Sequence, residues 1–359
     1  MGTFRSFRYN AGQYRLLPFL FLFAQAGIAQ VDEDLHVHCI DVGQGAATLL
    51  EFPCGAVLID AGAGDESHAD RLMDYLGNFF AERPDLDSTL ALVLITHCHK
   101  DHNWVLRRIA ESFTVQRYID DHFKTGSGKT NQKWLQAHAS AMGITYATYS
   151  FTQITADGRH DGLTDAVIDP LQCAGVDPEI HLLSGYQATK PADWSADDFK
   201  EGNNHSYVVR VDFGGSSILL PGDLELDGIR TLIAEYVASD MLDADLLVVA
   251  HHGSINGTTD ELLRAVSPTH AVIDCGHWNS GVGETYSTNA YGHPRAEVVD
   301  MLAERIPGNR SRPVTVMVGE GARHFHQAVV RKRIYSTAWD GNLVIDMDRD
   351  GNVKVNRNR

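Results

Sequence analysis

Residues 92–104 read LVLITHCHKDHNW, and this stretch limits the fold more tightly than any other in the chain. The run ALVLIT is short, apolar and β-branched, the composition of a buried strand bounded by turn signals. Four groups able to bind a cation follow it within six positions: His97, His99, Asp101 and His102. One histidine at a strand end is ordinarily structural. Three imidazoles and a carboxylate packed this tightly call for a metal ion, so this strand must end at a site to which other segments bring further ligands.

Other apolar β runs end in the same way. LHVHCIDVGQG ends at Asp41, AVLIDAG at Asp60, SSILLPGD at Asp223 and ADLLVVAHHGS at His251 and His252. Parallel strands that pack side by side bring their carboxyl ends together, where α/β enzymes build sites. Imidazole suits zinc and other borderline metals, and a carboxylate can bridge two ions about 3.5–4 Å apart, so the residue types fit a dinuclear centre. Helical periodicity occupies 67–82, 104–113, 228–237, 260–266 and 296–306, interleaved with the strands, which predicts sheets covered by helices. Residues 120–200 are less regular and read as a loop-rich insertion. Two Asp-Gly-Asn turns, at 340–342 and 350–352, predict a small C-terminal β meander over 326–359.

The amino terminus has a different composition. Arg5, Arg8 and Arg15 precede an apolar run, Leu16 to Ala29, that ends in small residues and is too short to span a bilayer. Residues 1–29 therefore read as a signal peptide, which predicts a secreted or periplasmic protein with no stable membrane span after cleavage. Removing three arginines takes the net charge from −17 to −17 − 3 = −20. Such an acidic chain disfavours long nucleic acid as a partner unless charge is locally arranged. Five cysteines are too few for a disulfide framework and allow a bridge or two after export. Two decoys fail on spacing. FKTGSGKT has Phe123 where a phosphate loop needs glycine, and DMDRDGN has Arg357 where a calcium loop needs glutamate.

The segment THCHKDH carries the HxHxDH signature of the metallo-β-lactamase superfamily, which this chain resembles. The ordered motifs IDVGQG, LIDAG, LLPGD, VVAHHGSINGTTDELLRAVSPTHAVIDCG and YGHPRAEVVDML look like its ComEC-type, competence-protein branch, here without a membrane-channel domain. The resemblance implies an αββα sandwich, two mixed β-sheets flanked by helices, over residues 30–325. It implies that His97 and His99 hold one metal and that Asp101, His102 and His252 hold a second. Asp223 would bridge the two, with Asp101, His251 and His293 serving catalysis. Asp60 and Asp41 would stand behind the ligands, with Gln44 on the loop beside the metals. The ions would be two divalent cations, zinc first, with manganese or iron as alternatives. Ala46 departs from the branch pattern where an acid is usual, and Trp104 stands where a small residue is usual. His205 occupies a position usually held by asparagine and is either an extra ligand or a substrate contact.

The function so implied is water activation at a dinuclear centre for hydrolysis of a phosphodiester or other phosphoryl ester, on a small or cell-wall-linked substrate. Hydrolysis of a lactam, lactone or other ester by the same site is the second reading. A metal-containing binding protein without turnover is the third.

Overall fold

Two mixed sheets carry the architecture in this computed structural model, which describes residues 1–3, 33–122 and 126–357. All but the first three residues of the expected signal peptide lie outside the described set. The first sheet orders its strands Val353–Arg357, Leu343–Met347, Leu35–Cys39, Thr48–Phe52, Gly55–Ile59, Leu92–Leu94, Arg117–Ile119 and Thr145–Ala147. The second orders Ile334–Ser336, His270–Ile273, Leu246–Val248, Ser216–Leu220, Val208–Phe213 and Glu179–Ser184.

Strand alternation explains how the layers pack. Leu50, Val57, Ile59, Leu92 and Leu94 from the first sheet share one buried cluster with Val209, Val211, Ile218, Leu220, Leu246 and Val272 from the second. Their sequence neighbours point the other way. Leu49, Ala56, Leu58 and Val93 pack with Ala69, Leu72 and Leu76 of the helix Glu66–Glu82. Val208, Leu219, Leu247 and Ala271 pack with the helices Leu226–Tyr236, Asp260–Val266 and Ala296–Arg305. Side chains on both faces of each strand are apolar because both faces are covered, and helix–sheet–sheet–helix layers result. The helices fall within a residue or two of the periodicity. The first is capped by Asp65, whose carboxylate accepts from His68 N at 2.9 Å.

The carboxy-terminal segment differs from expectation. It does not form a separate meander, because its strands are distributed over three sheets. His324–Lys332 pairs with Asn309–Gly321, so a boundary at 326 would cut a hairpin. Ile334–Ser336 joins the second sheet beside His270–Ile273. Only Leu343–Met347 and Val353–Arg357 form the hairpin expected around the 350–352 turn, and Leu343–Met347 pairs in turn with Leu35–Cys39. Each of these strands has an apolar face that a free meander would leave in water, and sheet edges bury it. Residues 120–200 supply an edge strand to each sheet, Thr145–Ala147 and Glu179–Ser184. A disulfide between Cys54 and Cys173 ties this region to a hairpin turn of the first sheet, while Cys39, Cys98 and Cys275 are buried free thiols.

Candidate metal centre

Both sheets direct strand ends to one place. Gly55–Ile59 and Leu92–Leu94 run parallel in the first sheet, and Ser216–Leu220, Leu246–Val248 and His270–Ile273 run parallel in the second. The residues just past them are Asp60, the 97–102 loop, Asp223, His251 with His252, and Asp274.

The loop carrying the histidines is held by backbone contacts. Ala46 N donates to Asp101 O at 2.9 Å, and Ala61 N donates to His102 O at 2.8 Å. Gly62 permits this approach, since a Cβ there would meet Asp101 O at 1.5 Å. Ala46, the departure from the branch pattern, serves through its amide.

Asp101, His102, Asp223 and His252 each offer one ligand atom, all within 4.8 Å of one another. His102 Nε2 lies 3.2 Å from Asp223 Oδ1, and His252 Nε2 lies 3.5 Å from Asp223 Oδ2 and 3.6 Å from Asp101 Oδ2. His97 Nε2 is 3.9 Å from Asp223 Oδ2 and 3.1 Å from His99 Nδ1. Two sets of donors thus share the Asp223 carboxylate.

The rings are aimed from behind. His102 Nδ1 donates to Asp60 Oδ2 at 2.7 Å, and Asp60 accepts in turn from Thr96 N and Thr96 Oγ1. His252 Nδ1 donates to Asp274 O at 2.6 Å. Each ring is therefore left with a lone pair on Nε2, and the two Nε2 atoms face each other at 3.3 Å. Opposed lone pairs beside two carboxylates are a poor arrangement in an empty protein and a good one around a cation, so the donor set fits divalent metal.

The electrostatics agree. Burial would raise the Asp223 carboxyl, but His102, His252 and His251 outweigh it and hold the group well below the usual carboxylate range. Burial opposes charge on His102, yet Asp223 and Asp60 bring it to about 10, so without a cation the ring would hold a proton on Nε2 in the place a metal would take. Burial, with His102 adding, pushes His97 well below the usual imidazole value.

His251 and His252 both have left-handed backbone, φ 50° and 54°, followed by Gly253 at 76°. The turn sends His252 inward and His251 to the mouth, where His251 Nε2 is 3.7 Å from Asp223 Oδ2 and 3.4 Å from Asn203 Nδ2. His293 is buried in the opposite wall of the same cavity, its ring centroid 6.0 Å from that of His251. The cavity is about 900 Å³ and is lined also by Gln44, Lys100, Trp104 and Tyr291. The Lys100 ammonium sits over the Trp104 ring, 3.2 Å from its centroid, so Trp104 does shape the wall.

Two expectations do not fit this geometry. His205 is fully buried away from the cluster, with both ring nitrogens taken by backbone: Nε2 donates to Phe199 O at 2.8 Å and Nδ1 accepts from Gln187 N at 3.0 Å. It has no nitrogen left for a metal or a substrate. Asp41 gives its carboxylate to Arg71 Nη1 at 2.5 Å and Gly43 N at 3.2 Å, and touches none of the clustered ligands.

Asp274 was not anticipated. It is buried against His102, Asp223 and His252, one oxygen has no hydrogen-bond partner among the described residues, and burial raises its pKa to about 7. It ends the run THAVID as Asp60 ends AVLID, so the strand-end pattern that finds the other acids also finds this one. Glu225, beside His251 Nδ1 at 3.4 Å, carries no comparable signal.

Comparison with known proteins places this arrangement. The profile described as the metallo-beta-lactamase superfamily matches residues 40–277. The chain belongs to that superfamily. It is 27% identical over 280 residues to ComE operon protein 3 of Bacillus subtilis, covering 74% of this chain and 30% of that protein. It is 26% identical over 267 residues to Recombination protein 2 of Haemophilus influenzae, covering 74% and 27%. It is 31% identical over 155 residues to Competence protein ComA of Neisseria gonorrhoeae, covering 40% and 20%. The chain thus spans less than a third of the length of these curated relatives. Among solved structures it is similar to the metallo-beta-lactamase fold protein YhfI from Bacillus subtilis, with TM-score 0.39 and 13% identity over 67% of this chain and 85% of that one. Human tRNase Z, short form, gives TM-score 0.36 and 16% identity over 66% and 91%. The chain has the four-layer sandwich of this superfamily, whose members are metallo-hydrolases that typically bind divalent metals, and the Asp101, His102, Asp223 and His252 cluster is its candidate metal site.

Proposed function

We propose that the chain is an exported, dinuclear metal-dependent hydrolase of phosphodiesters. The observation that carries this reading is the Asp223 carboxylate, with His102 Nε2 at Oδ1 and both His252 Nε2 and His97 Nε2 at Oδ2, in the wall of an open cavity. Asp101, His102, Asp223 and His252 would hold one ion, and His97, His99 and Asp223 the other. Zinc suits this nitrogen-rich set best, with manganese or iron as alternatives. Two such ions, when bound, would supply an acidified water and would draw charge from phosphoryl oxygens.

The chain's own groups do the rest. Asp60 and the Asp274 carbonyl keep His102 and His252 in one tautomer. His251, Asn203 and Lys100 face the cavity and supply donors for non-bridging oxygens. Thr288 Oγ1 donates to Gln44 Oε1 at 3.0 Å, which turns the Gln44 amide nitrogen toward His293 Nδ1 at 3.4 Å. His293 is thereby left with its proton on Nε2. Burial, with His251 adding, keeps the ring neutral, so it can donate a hydrogen bond to the leaving oxygen. Export is supported by the arginine-led apolar amino terminus and by the Cys54–Cys173 bridge, a bond that persists in oxidising compartments. No helix among the described residues is long and apolar enough to cross a membrane.

The test pairs metal analysis of protein purified without chelator with hydrolysis of bis-(p-nitrophenyl) phosphate, in wild type and Asp223→Ala. About two ions per chain and turnover, both lost in the variant, are expected. Two ions without phosphodiester turnover would move the reading to lactone or β-lactam hydrolysis. Absence of bound metal would end it.

A further inference from the structure

Of the histidines that line the metal cavity, His251 keeps a buried ring nitrogen, Nδ1, without a hydrogen-bond partner among the described residues. Asn203, which lines the same cavity, keeps its Oδ1 in the same condition. Both lie beside one carboxylate. Glu225 Oε1 accepts from Asn203 Nδ2 at 2.9 Å and stands 3.4 Å from His251 Nδ1. Buried polar atoms are nearly always paired, so two orphans around one carboxylate call for a reason.

Glu225 is delivered there by the segment that carries Asp223. In PGDLE, Leu224 is buried in the core beneath the second sheet, and the acids on either side of it both reach His251. Asp223 Oδ2 lies 3.7 Å from His251 Nε2, so the two acids flank the two nitrogens of one ring. Glu225 also stands immediately before the helix Leu226–Tyr236, a position from which a short polar side chain ordinarily accepts from the first turn. Its side chain makes no such bond and turns to Asn203 and His251 instead. The ring has little room to withdraw. His251 N donates to Gly222 O at 3.1 Å, and Gly257 lies so close that a Cβ there would meet His251 Cβ at 2.5 Å.

We infer that Glu225 is a positioning residue, a role that rests on the hydrolase reading above: it takes the Nδ1 hydrogen of His251 and so holds the Nε2 edge of the ring toward the phosphoryl group. A hydrogen bond used in catalysis is often long before substrate arrives and tightens in the complex, and a separation of 3.4 Å suits that change. A carboxylate is the stronger acceptor for this purpose, since charge-assisted bonds are shorter and more directional than neutral ones. Asn203 keeps the acceptor in place, because its amide nitrogen holds Glu225 Oε1 and also lies 3.4 Å from His251 Nε2.

The test measures kcat and KM for bis-(p-nitrophenyl) phosphate, with ions per chain, in the full chain and in four variants: Glu225→Ala, Glu225→Gln, His251→Ala, and Glu225→Ala combined with His251→Ala. Glu225→Ala should lower kcat by about 10–100-fold, the scale of a misplaced catalytic group, with KM and ions per chain unchanged. Glu225→Gln should recover most of that loss, since an amide oxygen still accepts from His251 and Asn203. In the His251→Ala background Glu225→Ala should have no further effect, as expected of a residue that acts only through another. An equal loss in both backgrounds overturns the proposal and makes Glu225 a structural support of the metal centre. A glutamine variant no better than alanine overturns it as well. The ring is also read without turnover, by nitrogen-15 resonances of histidine-labelled protein assigned through their absence from His251→Ala. Glu225→Ala should move the His251 Nδ1 resonance, and an unmoved resonance overturns the proposal. Wild-type protein that cleaves no phosphodiester while Nδ1 still responds to Glu225 would instead sink the hydrolase reading and leave the Glu225–His251 pair standing.

Discussion

Asp60 stands one layer behind the metal ligands, yet its carboxylate decides how His102 points. It is itself held in a left-handed conformation, φ 63°, by Asp60 N donating to Leu94 O at 2.8 Å. Asp60→Ala should lower metal affinity by about 10–100-fold, read by competition with a chromogenic chelator, because a free His102 ring no longer presents Nε2 alone. His205 is the contrasting case. Its two ring nitrogens tie the 199–205 segment to residue 187, so His205→Phe should cost about 2 kcal/mol of stability in urea unfolding. Ions per chain should be unchanged, and a variant that loses an ion would restore the ligand role. Nothing local in EGNNHSYVV distinguishes these outcomes. A histidine's role depends on what its nitrogens meet, and His205 meets carbonyl and amide groups contributed by a distant loop.

Among elements, the loops that carry the ligands are set by backbone packing as much as by side chains. Gly62 lies against Asp101 O, so Gly62→Ala must push the 97–102 loop out of place. The expected result is a folded protein with reduced metal content, seen as an unchanged circular dichroism spectrum and fewer ions per chain. The Cys54–Cys173 bridge acts on a larger element. It closes a sequence separation of 119 residues, and in the chain-entropy account a loop of that length is worth about 4–5 kcal/mol. The double variant Cys54→Ser with Cys173→Ser should show a lower melting temperature and early proteolysis within 160–178. Equal stability of the oxidised protein and the variant would show that the insertion is held by its strands alone.

For the whole molecule, acid stability follows from two buried groups far from the metal centre. Burial, with Arg333 adding, lowers the His270 pKa from 6.5 to about 4. The unfolded chain therefore takes up a proton below pH 6.5 that the folded chain refuses, and stability falls as pH drops from 6.5 to 4. Burial would raise Glu51, but hydrogen bonds from His38 and Arg83 outweigh it and bring the carboxyl from 4.5 to about 2. Its contribution is complete above pH 4.5 and is lost as pH falls toward 2. Each shift corresponds to about 3 kcal/mol across its window. Unfolding followed against pH should show two successive losses, and His270→Gln should shrink the first, to which the buried His97, His205 and His293 also contribute, while leaving the second.

The sequence by itself determined the layers and most of the centre. Alternating apolar strands bounded by turns, and helices with a 3.6-residue period, are local patterns, and burial enforces them wherever the chain goes. The clustered donors Asp101, His102, Asp223 and His252, with His97 and His99 beside them, were legible for the same reason, since each follows such a strand. Tertiary structure alone decided which polar groups meet. It sent Asp41 to Arg71 and His205 to the backbone, brought the unanticipated Asp274 beside the clustered donors, and spread the strands from His324 onward over three sheets. Those outcomes depend on contacts outside a local window, from Asp41 with Arg71, 30 positions on, to Leu35–Cys39 with Leu343–Met347 at the far end of the chain. Strand pairing is chosen by which apolar face finds cover, and a sequence window does not contain the surface that provides it.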